Sequence, residues 1–416
     1  MKFNETGLHP SLLEGISAMG FEETTPVQEK AIPAIMAGKD VIASAQTGTG
    51  KTAAFLLPII HKILEEHDEN EEVRALIIVP TRELAIQIDQ QMEGLSYFTN
   101  VSSIAIYGGS DGTSFAREKK ALTTGAKMII GTPGRLISHL NMGYTNLKGL
   151  HYLILDEADR MLDMGFHEDI MKIIGHLPKK RQNLMFSATM PKKIRDLANT
   201  ILHDPEEISI AVSKPAERIV QAAFCVYPNQ KIPLVSYLLK AKPLKSVIIF
   251  CGTKQSTKDL ARELKKIDLA VEDIHSDLDQ AEREKVLRGF RNREINVLVA
   301  TDILSRGIDV EDIDLVINFD VPSDGEDYIH RIGRTARAAS KGVAFTLIDE
   351  DDMFNFGRIE ELLEAEVKKV PLPEEIGEGP TYNPKSRGRG RGRRQSSGRG
   401  GNKGGNRQRG RSSRRK

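Results

Sequence analysis

This sequence predicts an α/β chain of two tandem domains, each a parallel sheet with helices on both faces, followed by a basic tail. Three observations carry that prediction. A length of 416 residues exceeds what one hydrophobic core normally serves. Two series of short, continuous Val- and Ile-rich runs are each interleaved with helical patterns, which is how strands buried on both faces read. The charge is also divided. Of 59 basic residues, 14 lie in 381–416, which has no Asp or Glu, so a net charge of +1 hides an acidic body and a strongly basic end.

The first series runs "DVIASA", "RALIIVP", "SSIAIYGG", "KMIIGTP", "YLILDEAD" and "NLMFSAT"; the second runs "KSVIIFCGT", "AVEDIHS", "INVLVATD", "DLVINFD" and "GVAFTLI". Between them, Pro215 among small and charged residues marks a linker. The predicted division is therefore 1–208 for the first domain, 209–218 for the linker and 219–370 for the second domain. Beyond Pro371 the chain passes into Arg/Gly repeats with almost nothing apolar to bury, so 371–416 is expected to be disordered. No run of about 18 apolar residues could span a bilayer, and the first ten residues lack the apolar stretch of a secretory signal. The two cysteines, Cys225 and Cys251, sit in no CxxC or Cys/His cluster, which argues against a disulfide framework or zinc site and fits the reducing cytoplasm.

"DVIASAQTGTGKTAAF" sets a strand, a Gly-rich turn and a helix in succession. In a P-loop the backbone N–H groups and the helix N-terminus bind phosphate, the lysine (Lys51) meets the β/γ-phosphates, and the next hydroxyl (Thr52) ligates Mg²⁺. The strict pattern wants glycine at 45, where this chain has Ala45; Gln46, Thr47, Gly48, Thr49 and Gly50 complete the loop. The competing reading is a flexible loop with a chance GKT. "YLILDEADRML" ends an apolar strand in carboxylates, either a solvated acidic end or a metal site. With a P-loop about 100 residues upstream, an acid leaving such a strand sits where an NTPase holds Mg²⁺. Asp156 would then be the ligand, and Glu157 would orient and deprotonate the attacking water.

"AQTGTGKT", "PTREL", "TPGRL", "DEAD", "SAT", "ATDILSRGID" and "HRIGRTAR" follow one another as in the DEAD-box RNA helicases, and the resemblance covers roughly residues 3–370. An upstream adenine-recognition motif is matched by Phe3 and by "GFEETTPVQ", ending at Gln28. The resemblance implies two RecA-like domains, ATP and Mg²⁺ as cofactors, and RNA-stimulated ATP hydrolysis that locally separates short duplexes and remodels RNA or RNA–protein complexes. It assigns Gln28 to the adenine edge, Phe3 or Phe21 to packing near the base, and Asp309 to the ribose. Ser187, Ala188 and Thr189, with Asp159, would couple nucleotide state to RNA, and His330 and Arg331 would link their segment to the first domain's "DEAD" and "SAT". The arginines at 331, 334 and 337 have a three-residue spacing that crowds like charge on a helical turn. Arg334 and Arg337 resemble arginine fingers reaching the γ-phosphate, although Ala336 departs from the usual GRTGR.

RNA contacts implied by the resemblance are Pro80, Thr81, Arg82 and Glu83, then Gly108, Gly109, Thr132, Pro133, Gly134 and Arg135. Gln280, Arg283, Thr301 and Arg306 follow in the second domain. These residue types present N–H, hydroxyl and guanidinium donors to phosphate and 2′-OH, so recognition of RNA is expected to be largely independent of sequence. The basic tail is expected to add salt-sensitive attachment. The short basic extension resembles that of bacterial RhlE-like members, with a monomer the default state. An ATP-gated RNA clamp or annealing chaperone driven by the tail is the alternative; a related DNA helicase is disfavoured by "DEAD" with "SAT" and Gln28. Ribosome assembly, mRNA decay and cold adaptation are all served by this family, and residues 1–370 choose none of them.

Overall fold

The computed structural model describes residues 1–45, 49–66, 72–108, 112–210, 219–241, 244–267, 269–301, 313–322, 325–335 and 342–385. Gln46, Thr47, Gly48, Gly109, Arg306, Asp309, Arg337, the linker over 211–218 and the tail from 386 lie outside the described residues, as does the side chain of Gln280.

The first sheet contains β1 (Val41–Ser44), β2 (Ala75–Ile78), β3 (Ser103–Ile106), β4 (Met128–Gly131), β5 (Tyr152–Leu155), β6 (Gln182–Ser187) and β7 (Glu206–Ser209). The second contains β8 (Ile219–Cys225), β9 (Val247–Cys251), β10 (Val271–Ile274), β11 (Val297–Thr301), β12 (Leu315–Asn318), β13 (Gly342–Ile348) and β14 (Lys368–Lys369). Spatial order is β3-β4-β2-β5-β6-β1-β7 in one and β10-β11-β9-β12-β13-β8-β14 in the other, with parallel pairing throughout. Taken in chain order these are the same topology twice. Each strand of the first sheet has a counterpart seven places on.

The continuous apolar runs arise because both faces of each sheet are covered. Ala75 and Ile77 enter one core cluster while Leu76 and Ile78 enter another; Val247 and Ile249 part from Ile248 and Phe250 in the same way. Burying each such aliphatic side chain contributes about 1.5–3 kcal/mol. All eleven runs read from the sequence are strands; among the described residues the crossovers run through helices except that from β11 to β12, and the loops leaving the strand carboxyl ends gather along one edge of each sheet.

Two boundaries are corrected. The expected linker at 209 starts too early, because β7 pairs with β1 through Ser209 opposite Ser44, and Ile210 N–H donates to Ser44 O at 2.9 Å. The expected loss of order at Pro371 comes too early as well. Gln230 Nε2 donates to the carbonyls of Ile376 (3.0 Å) and Glu378 (3.1 Å), and Tyr382 donates its hydroxyl to Glu360 Oε2 at 2.6 Å. The Tyr382 ring packs edge-on to Phe356 at 6.3 Å and under the Lys369 ammonium at 4.1 Å. Residues 371–385 therefore pack on the second domain, with Leu372 and Ile376 against its core and Tyr382 against Phe356.

Candidate active site and nucleic-acid interface

The phosphate-binding turn is built on β1, whose successor Ala45 is buried and donates its N–H to Ser187 O at 3.1 Å. Gly50 has φ +87°, and a Cβ there would stand 2.4 Å from Gln28 Nε2, so both conformation and space require glycine. The helix Lys51–Glu65 starts at the next residue. Lys51 is 7% exposed and its Nζ has no hydrogen-bond partner, a buried cation awaiting an anion. Gln28 accepts from Thr25 N–H at 2.9 Å and donates to Gly50 O at 3.0 Å, so the residue assigned to adenine also holds the end of the phosphate turn. Of the two phenylalanines, Phe3 is buried in the core and Phe21, its ring 6.5 Å away, is 40% exposed; only Phe21 presents a face to a base.

Asp156 leaves β5 on the edge beside this turn, with its N–H donating to Ile78 O at 3.1 Å. Burial drives its carboxyl up to about 7, against the opposing pull of Lys51. Glu157 takes the left-handed conformation at φ +51°, which a non-glycine residue holds only where its surroundings impose it. Arg160 Nη1 donates to Glu157 Oε2 at 3.4 Å. Asp159 Oδ2 accepts from Ala188 N–H at 3.1 Å and its Oδ1 from Arg160 N–H at 2.9 Å, while Ser187 is fully buried and its Oγ accepts from Thr189 N–H at 3.4 Å. Thr52 is the second residue of the helix that Lys51 opens, and its hydroxyl and the Asp156 carboxylate are oxygen donors of the kind a hard divalent cation takes.

The remaining first-domain segments leave the neighbouring strand ends. Pro80 and Thr81 follow β2; both are buried, and Thr81 Oγ1 caps the helix Arg82–Leu95 by accepting from Leu84 N–H at 3.3 Å. Gly108 follows β3, and a Cβ on it would lie 3.8 Å from Arg82 Nη2. Thr132 follows β4, donates its N–H to Ile106 O at 3.0 Å and is the N-cap of the helix Pro133–Asn141, with Pro133 buried and Gly134 exposed. Arg135 turns inward, donating Nε to Glu118 Oε2 at 2.7 Å.

In the second domain, Arg283 Nη2 donates to Ser276 O at 3.2 Å, Nη1 stands 4.0 Å from Glu83 Oε1, and its buried Nε has no partner. Thr301 ends β11 with a buried hydroxyl that also lacks a partner. Arg331 is 1% exposed, donates Nη1 to Asn318 Oδ1 (3.3 Å) and Asp320 O (2.9 Å), and lies over the Phe250 ring at 5.3 Å, contacts that brace its own domain. The helix Gly325–Ile332 ends before Arg334, which lies in the following turn, and Arg337 lies outside the described residues. His330 is also buried.

Sequence reasoning missed a cluster that the duplicated topology exposes. Lys231 opens the helix after β8 as Lys51 opens the helix after β1, and Asp320 follows β12 as Asp156 follows β5. In the second domain the ammonium is occupied, by Asp320 at 3.1 Å, Asp349 at 2.9 Å and Asp352 at 3.7 Å. The signal was available as "IDEDD" after the last long strand, but four acids at a strand end name no partner.

A P-loop lysine, paired acids beneath it and a second sheet of the same topology define a two-domain P-loop NTPase of the helicase kind. Residues 25–197 match the family model for the DEAD/DEAH box helicase and residues 230–339 that for the helicase conserved C-terminal domain. The ATP-dependent RNA helicase CshA of Listeria monocytogenes is 43% identical over 373 residues, 89% of this chain and 71% of its own length. The DEAD-box ATP-dependent RNA helicase CshA of Geobacillus kaustophilus is 42% identical over 372 residues, 89% of this chain and 78% of its own. Among solved structures, S. cerevisiae Dbp5 bound to RNA and ADP BeF3 superposes with a TM-score of 0.79 at 32% identity, covering 89% of this chain and 95% of that one. The chain belongs to the DEAD-box family of ATP-dependent RNA helicases. These bacterial relatives carry the name CshA.

Proposed function

We propose that this protein is an ATP-dependent RNA helicase that opens short RNA duplexes by gripping one strand across both domains while ATP is bound. The observation that carries the reading is the order of strand ends along one sheet edge. Segments 80–83, 108–109 and 132–135 leave β2, β3 and β4, and Asp156, Ser187–Thr189 and the phosphate turn leave the adjoining β5, β6 and β1. A shift at either site is thereby passed to the other through directly paired strands.

ATP phosphate is taken by the buried Lys51 and the turn ending at Gly50, with Gln28 on the adenine and Phe21 against it. Mg²⁺ held by Thr52 and Asp156 would neutralise phosphate charge. Glu157 orients the attacking water and accepts its proton. Arg334 and Arg337 complete the site from the second domain, a type of contact worth ~10³–10⁵ in rate. RNA is held through backbone N–H, hydroxyl and guanidinium groups of the named segments, and the tail from 386 adds phosphate contacts. At about 1.4 kcal/mol per stacked step, parting six pairs costs roughly 8 kcal/mol, which confines the activity to short duplexes. The protein acts as a cytoplasmic monomer on RNA, with ribosomal and mRNA-decay complexes as candidate settings.

The test is ATP hydrolysis with RNA and with DNA of one sequence, alongside unwinding of a short RNA duplex. RNA-specific stimulation with ATP-dependent unwinding is expected. Equal stimulation by DNA would point to a DNA helicase, and unwinding that vanishes without residues 386–416 would point to a tail-driven chaperone.

A further inference from the structure

Beneath the 132–135 turn lies a closed group of side chains that the mechanism above does not use. Glu118, in the helix Gly112–Thr124, has a side chain 5% exposed. Its Oε2 accepts from Arg135 Nε and from His139 Nε2, each at 2.7 Å. Arg135 and His139 sit four residues apart in the helix Pro133–Asn141, on one face, with side chains 15% and 1% exposed. Phe115 fills the space between them, stacked on the His139 ring at 4.6 Å and 14° and covered by the Arg135 guanidinium at 4.8 Å. Tyr144, just past the helix, meets His139 Nδ1 through its hydroxyl. A neutral imidazole satisfies both neighbours, donating Nε2–H to the carboxylate and accepting the phenol proton at Nδ1. Burial raises the Glu118 carboxyl, and the bonds from His139 and Arg135 outweigh it, leaving the group below its usual range.

The two helices joined here each begin at a segment that RNA is proposed to touch. Gly112–Thr124 follows Gly108 and Gly109, and Pro133–Asn141 starts at Thr132. An arginine at the third helical position would ordinarily swing outward to a phosphate; this one is turned down into its own domain. We infer that Glu118 and His139 are positioning residues: through Arg135 and Phe115 they fix the helix Gly112–Thr124 and the 132–135 segment to each other, so that RNA meets one preset grip instead of two independent elements.

This inference rests on the reading that the 132–135 turn contacts RNA, and the experiment separates the two. Gly134 has open space where a Cβ would stand, so Gly134→Ala leaves the fold alone and places a methyl group in the path of an approaching phosphate. RNA-stimulated ATPase is measured for Gly134→Ala, Glu118→Ala, Glu118→Gln, Arg135→Ala and Glu118→Ala/Arg135→Ala, with thermal melting of each. Gly134→Ala is expected to raise the KM for RNA several-fold. Glu118→Ala should raise it about fivefold to tenfold with kcat at saturating RNA within twofold. Glu118→Gln, which still accepts from both partners, should recover most of the loss, and the double variant should be no worse than the worse single one. If Gly134→Ala raises the KM and Glu118→Ala does not, or if the double loss is the product of the single losses, positioning is overturned while the RNA reading stands. If neither single variant moves the KM, the RNA reading of this turn fails and the inference with it. Should Glu118→Ala not fold, Glu118→Gln decides: a KM raised about twofold to threefold at unchanged melting supports the inference, and an unchanged KM overturns it.

Discussion

Asp159 Oδ2 accepts the N–H of Ala188 at 3.1 Å, so the last acid of "DEAD" holds the middle residue of "SAT" directly. The carboxylate also accepts Arg160 N–H at 2.9 Å, which leaves it serving two backbone donors on separate strand ends. Removing it strands both, at about 1–3 kcal/mol each where buried. Asp159→Ala is expected to keep nucleotide affinity within about threefold, while duplex unwinding falls at least tenfold more than ATP hydrolysis. Asn at 159 retains one acceptor and should lie between. Parallel unwinding and ATPase titrations check this; equal losses in both would mean that the bond serves hydrolysis alone.

Glu157 sits in a strained backbone conformation with its carboxylate beside Arg160. Glu157→Gln preserves shape and most contacts but cannot take a proton. It is expected to bind ATP and RNA as the wild type does and to lose at least ~10² in turnover, within the range general-base removal commonly costs. Single-turnover hydrolysis with separate binding titrations measures it. Wild-type turnover in this variant would remove Glu157 from the reaction.

Asp352 in the second domain is pushed up to about 6, by burial first and by the charge of Asp349, with Lys231 pulling the other way. The folded carboxyl therefore lies above its unfolded value, so the folded state binds the extra proton. Asp352 then favours folding least above pH 6, and its cost shrinks as pH falls toward the ordinary Asp value of ~4, vanishing only below it, where both states are protonated. Asp352→Asn, permanently neutral, should gain on the wild type as pH rises from 4 to 7, approaching ~2–3 kcal/mol. Urea unfolding at pH 4.5 and 7.5 gives the comparison; a constant difference across that range would refute the assignment.

The packing of Tyr382 divides the C-terminal region into two parts with separable effects. Ending the chain after Lys385 removes only basic, Gly-rich sequence and is expected to weaken RNA binding and flatten its salt dependence, leaving maximal ATPase and melting unchanged. Ending it after Pro380 also removes Tyr382 from Phe356, Glu360 and Lys369, and should lower the melting temperature by several degrees. Equal melting of both truncations would show that the tyrosine anchors nothing.

The sequence by itself determined the two-domain α/β plan and the order of chemistry along the chain. Strands buried on both faces must be apolar throughout, and a loop that receives phosphate must be small and Gly-rich, so both leave local patterns. Three strands were missed because their patterns are weaker: β8, "IVQAAFC", mixes exposed and half-buried residues among its buried ones, and β7 and β14 are short and polar. What only the tertiary structure decided was which partner each charged side chain takes. Arg135 reads as an RNA-facing cation, yet Glu118 binds it, and Arg331 is bound by Asn318 and Asp320 O. Lys51 stays without a partner while Lys231, at the matching place in the second sheet, is met by three aspartates. A charge buried by folding must find its counter-charge from whichever strand end the topology brings near, and that neighbour lies 17 to 121 residues away in the chain.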